Sequence, residues 1–191
     1  MAPKVIEHHI PPGSSLRPAS EVRELLVIGI DPGPTPGLVL LRYTDHWLER
    51  SEAVQCSHGA LLTVLQAFLM EDSHPDLTAL VQVERFVVRR GSGKSGQAGA
   101  LTRDLIGAVE REVGYFSRAA FGGGVAVTQQ NAGRVKGWAT DQRLAAVGLY
   151  EMTKGMQHAR DAARHALFAA VHDGKIPDPL SKRHSSEGAP A

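Results

Sequence analysis

Asp31 closes the apolar run Leu25-Leu26-Val27-Ile28-Gly29-Ile30 and is followed at once by Pro32-Gly33. A strand that ends in an acid and a tight turn holds one carboxylate at a sheet edge. Glu84 closes a second apolar run, Ala79-Leu80-Val81-Gln82-Val83. An acid in that position is poorly solvated unless it meets water, an open cleft or a cation. A third acid, Asp161, stands in the helix-patterned stretch His158-Ala159-Arg160-Asp161-Ala162-Ala163-Arg164-His165. There His158 precedes Asp161 by three residues and His165 follows it by four, spacings that share one helix face. Hard oxygen donors from separate elements, with imidazole beside them, have the chemistry of a divalent-metal site that could activate water. Each residue also has a plainer reading. Asp31 would serve as a turn former, Glu84 as a solvated strand end, and His165 as a core residue with His158 exposed.

Basic residues form small groups: Arg89 and Arg90 with Lys94, Arg134 with Lys136, and Lys182 with Arg183. Gly91-Ser92-Gly93-Lys94-Ser95-Gly96 has the look of a phosphate loop, but Val88 stands where a Walker-type loop needs its first glycine. The segment reads instead as a basic loop whose small residues allow close approach to a nucleic-acid backbone, with Arg89, Arg90 and Lys94 supplying charge.

The elements that must position these residues follow from periodicity. Strands are expected at 25–31, 37–43, 46–55, 78–84 and 125–129. Helices are expected at 58–70, 98–113, 141–147 and 156–172, with a turn or short helix over 131–138. Short loops make the first three strands antiparallel, and intervening helices bring the last two in parallel. The expected fold class is α/β, a mixed five-stranded sheet with helices on both faces. Residues 1–20 and 177–191, rich in Pro, Ser and Gly, read as disordered tails around one ordered domain at 22–175.

Composition narrows the classes. With 191 residues, 42% hydrophobic and a net charge of +1, the chain is long enough for one proper core. Cys56 is the single cysteine, so neither an intrachain disulfide nor a CxxC zinc site is available. A reducing, cytoplasmic setting is expected, with no signal-peptide pattern and no membrane span. Aromatic residues amount to 5%, too few for an extended base-stacking platform.

Four segments together resemble the RuvC-type Holliday-junction resolvases of the ribonuclease H-like superfamily, in a form closer to phage-borne members. GIDPGPTPG resembles the family's first-strand motif and VQVERF its second acid position. Arg134-Val135-Lys136 resembles the segment that bears the family's catalytic lysine, and HARDAARHALFAAVH resembles its last helix. The resemblance implies a ribonuclease H-like fold and crossover-junction endonuclease activity. It assigns metal ligation to Asp31, Glu84, Asp161 and His158, with His165 as the alternative histidine, and makes Lys136 catalytic. It also implies two Mg²⁺ ions per site (or Mn²⁺), a four-way DNA junction as partner, and a homodimer acting in a bacterial or phage-infected cell. Arg89, Arg90, Lys94, Arg134 and Lys136 are the expected DNA contacts. Two other functions fit the same residues: a junction-binding protein that does not cleave, and a nuclease of the same superfamily acting on RNA–DNA hybrids or flaps. The helix at 98–113, with Leu101, Leu105, Ile106 and Val109, is the expected contributor to a dimer interface.

Overall fold

The computed structural model describes residues 24–71, 77–86, 97–119 and 125–181. Five strands, β1 (Glu24–Asp31), β2 (Gly37–Thr44), β3 (Trp47–Gln55), β4 (Thr78–Glu84) and β5 (Val125–Gln130), form one sheet in the order β3-β2-β1-β4-β5. β1, β2 and β3 pair antiparallel, while β4 joins β1 and β5 joins β4 in parallel. The helices are α1 (Leu61–Glu71), α2 (Gln97–Ala119), α3 (Ala132–Trp138), α4 (Asp141–Ala146), α5 (Leu149–Met152) and α6 (Gln157–His172).

β1 is apolar along its length because it is central and covered on both faces. Alternation sends Leu26, Ile28 and Ile30 into one core with α1 and α2, and Val27 into the opposite core beneath α6. Each fully buried Leu, Ile or Val contributes on the order of 2 kcal/mol, so β1 is the fixed reference of the molecule. Gln82 interrupts the apolar run of β4 without penalty. Its amide donates to the Thr128 carbonyl at 3.2 Å and accepts from the Thr128 hydroxyl at 2.9 Å, which locks the register of β4 and β5.

α6 lies unusually close to the sheet. A Cβ at Gly29 would collide with the Ala162 carbonyl and Ala166, and one at Gly37 with the backbone of His158 and Ala159. Glycines on the strands and alanines on the helix therefore bring the two backbones together. Gly37 pairs with Asp31, so the first turn of α6 sits over the acid-bearing end of β1. That turn has no side-chain cap of its own, and the His158 N–H donates to Gln55 Oε1 at 3.0 Å.

Two expectations are refined. The helix expected to end at 113 runs to Ala119, and α5 was not foreseen in so short a stretch. In α2, Leu105, Ile106 and Val109 face the core, while Leu101 is 44% exposed and Tyr115 63% exposed. Residues 1–20, the loop carrying Arg89, Arg90 and Lys94, and 182–191 lie outside the described residues. Residues 177–181 are described and rest against α4: Arg143 Nε and Nη2 donate to Asp178 at 3.0–3.2 Å.

Candidate active site

Parallel pairing of β1 and β4 sets Ile30 beside Val83, so the next residues, Asp31 and Glu84, leave the same sheet edge as neighbours. α6 brings Asp161 over that edge, and α3 brings Lys136. Asp31, Glu84, His158, Asp161 and Lys136 line one cleft of about 360 Å³, walled by Pro32–Pro34, Phe86 and Thr102. The residues the sequence singled out on four separate elements thus meet at one place.

Each acid has a basic side chain beside it. His158 Nδ1 lies 2.8 Å from Asp31 Oδ2. Lys136 Nζ donates to Asp161 Oδ2 at 2.8 Å, and Arg164 Nη1 to Asp161 Oδ1 at 2.5 Å. His165 Nε2 lies 3.3 Å from Glu84 Oε2, but the two are not aligned as a hydrogen bond, and among the described residues both atoms are buried with no hydrogen-bond partner. The histidines therefore divide. The His158 side chain is 36% exposed on the cleft, whereas that of His165 is fully buried beneath it.

Electrostatics follow from crowding. Burial pushes the Asp31 carboxyl above its usual range; the His158 hydrogen bond opposes this, while the charges of Glu84 and Asp161 add to it. Burial works against the charged form of Lys136. Its bond to Asp161 and the charges of Asp161, Glu84 and Asp31 outweigh that and hold it as an ammonium. Three carboxylates on one edge thus create a demand for positive charge.

The donor set fits a divalent ion by type: three carboxylates, one open imidazole, and buried polar atoms on Glu84 and His165 that lack a partner. Among the described residues no three of these side chains are already gathered as a metal-holding group, and Asp161 is engaged by Lys136 and Arg164.

Lys136 is held by packing. Asn131 caps α3 by accepting from the Gly133 N–H at 2.8 Å, and Val135 is buried against Ala139 and Phe168. Arg134, one of the expected DNA contacts, has its guanidinium 5.4 Å over the Phe168 ring and is not among the residues that line the cleft.

No family model matches the sequence, and no curated protein matches it significantly. Among solved structures, RuvC of Thermus thermophilus in complex with a Holliday junction substrate is similar at a TM-score of 0.51 and 22% identity, over 79% of this chain and 96% of that one. A second Thermus thermophilus RuvC structure is similar at 0.50 and 21%, over 78% and 96%. The fold is that of RuvC. The sheet order, the strand directions and the last helix lying across β1 are the features of this chain that carry the RuvC fold. They bear out the expected architecture. Sequence reasoning missed Arg164, which bridges Asp161 to Asp141 on α4 at 2.5 Å, and Thr102, buried in the cleft wall. An arginine four residues from another on a helix reads as a solvated face, and only the packing of α4 brings Asp141 to Arg164.

Proposed function

We propose that this protein is a metal-dependent, structure-specific endonuclease that resolves four-way DNA junctions by paired phosphodiester cleavage. One observation carries the proposal: Asp31, Glu84, Asp161, His158 and Lys136 converge on a single cleft at the carboxyl ends of two parallel strands in a RuvC fold. The branched substrate is suggested by the Holliday junction bound to the similar RuvC.

Asp31, Glu84, Asp161 and His158 are the residues that would hold Mg²⁺ or Mn²⁺, two ions to a site. Bound there, the ions supply Lewis acidity and a more acidic water for attack on phosphorus. The chain's own groups do the rest. Asp31 orients the ring of His158, itself a lining residue of the cleft, through the Nδ1 contact. Lys136, kept protonated by the surrounding acids, offers its ammonium to the charge that develops on the phosphoryl oxygens. Phe86 and the Pro32–Pro34 turn give one side of the cleft an uncharged wall suited to sugar and base. Two nicks placed symmetrically in a junction require two such clefts, and a C2 homodimer provides them.

The experiment is cleavage of a labelled four-way junction beside duplex, flap and RNA–DNA hybrid, in Mg²⁺, Mn²⁺ or EDTA. Paired nicks confined to the junction and abolished by EDTA are the expected result. Preferential cutting of hybrid or flap would retain the chemistry and change the substrate. Tight junction binding with no nicks in either metal would overturn the enzyme reading.

A further inference from the structure

Beyond the cleft, and sharing Lys136 and Asp161 with it, a larger groove of about 760 Å³ runs along α6 between Thr140–Asp141 and Gly155–Gln157, with Arg160 and Arg164 on its wall. The two hollows adjoin at Lys136 and Asp161, which line both. Their walls differ in charge. On the β1–β4 side, beyond the acids, the walls are Pro, Gly, Phe and Thr; on the α6 side they carry arginines. Of the three groove cations, Lys136 and Arg164 are already committed to Asp161 and Asp141. Arg160 is different: among the described residues it has no acid partner. Its guanidinium lies 4.3 Å from the centre of the Tyr150 ring, and its Nε lies 3.4 Å from Thr153 Oγ1. Stacking and that contact fix the fork while its other donors remain available. A pre-ordered, charge-uncompensated guanidinium suits a phosphate, because little rotamer entropy is left to lose on binding.

We infer that a DNA strand passes from the cleft into this groove, and that Arg160 grips the phosphate next to the one being cut. This rests on the nuclease reading above, and it names a strand path and a positioning residue which that reading leaves open. Tyr150 supports Arg160 as the platform for its guanidinium.

The test is junction binding by the full chain, measured by fluorescence anisotropy over a salt series, for wild type, Arg160→Gln, Tyr150→Leu and Lys175→Gln. Lys175 lies past the end of α6, where its ammonium donates to the His172 carbonyl; its removal controls for net charge. Arg160→Gln should weaken binding about tenfold and lower the salt slope by about one. It should also raise KM with little change in kcat, as expected for a contact made equally in ground and transition states. Tyr150→Leu should weaken binding by a smaller factor at an unchanged slope, and Lys175→Gln should behave as wild type. Matching melting curves exclude misfolding. Wild-type binding with an unchanged slope in Arg160→Gln, or an equal loss in Lys175→Gln, overturns the strand path alone. A wild-type chain that binds no branched DNA overturns the path and the nuclease reading together.

Discussion

At the scale of single residues, Asp31 and the two histidines separate ligation from support. Asp31 lines the cleft in contact with His158, and its substitution removes a donor without touching the arginine-lined groove. Asp31→Asn is therefore expected to lower nicking by at least roughly 100-fold, the loss that even an outer partner of a metal ligand can cause. Junction affinity should stay within about threefold, and gel-shift titration beside the cleavage assay checks both. His158→Ala should lose nicking and keep its melting temperature, because its side chain is 36% exposed on the cleft rather than part of the core. His165→Ala removes a fully buried ring between α6 and the sheet edge, so about 2–4 kcal/mol of stability should go with it. Equal melting temperatures for the two variants would contradict this division. The sequence carried the residue types because each acid closes a regular element, which makes its position readable. Spacing alone could not rank the histidines, since it puts both on one face; the resemblance set His158 first, and the depth of α6 against the sheet separates the two rings.

At the scale of elements, the site depends on the distance between α6 and β1. Gly29 and Gly37 have no Cβ where the helix backbone passes, and Ala159, Ala162 and Ala166 are the matching small residues. Gly29→Ala leaves the donor set intact but forces backbone against backbone, where neither side has a flexible end to move. It should cost about 3 kcal/mol, the upper part of the range for overpacking. That corresponds to a fall in melting temperature of roughly 6–12 °C for a domain of this size. Nicking should fall as well, since Asp161 and His158 would lift from Asp31. A stable Gly29→Ala with full activity would show that α6 can retreat without loss. Strands and long helices were readable from periodicity, as were the short α3 and α4. α5 was not, because four residues carry no period, and the extension of α2 past 113 was hidden by Gly114 and the aromatic pair Tyr115-Phe116. The alanines of α6 lie in a stretch that the sequence reads as helix. Their use became clear only with the glycines they face, which lie more than a hundred residues away in the chain.

At the scale of the whole molecule, α2 covers the sheet with one face, and the proposed dimer would use another. Leu105, Ile106, Val109 and Val113 cover the sheet, whereas Leu101 and Tyr115 point outward with Ala108 between them at seven-residue steps. Seven residues are nearly two turns, so these three form a stripe on one side of the helix. Leu101 and Tyr115 are the exposed large apolar residues of this stripe among the described residues, and in the proposed dimer a second copy packed on α2 would cover them. The proposed reaction sets a separate demand, because a junction is resolved only when two opposed strands are cut within one complex. A monomer should nick one strand and release. Tyr115→Glu places a charge on the stripe, and Tyr115 is not among the residues that line the cleft. Sedimentation should therefore move the variant from dimer to monomer at micromolar concentration, with its melting curve preserved. On a supercoiled plasmid bearing an extruded cruciform, wild type should give linear product directly, from two cuts within one encounter. Tyr115→Glu should instead accumulate nicked circles, with little linear DNA at early times. Linear product at the wild-type rate from a demonstrably monomeric variant would mean that paired cutting needs no partner subunit, and α2 would then be only a cover for the sheet.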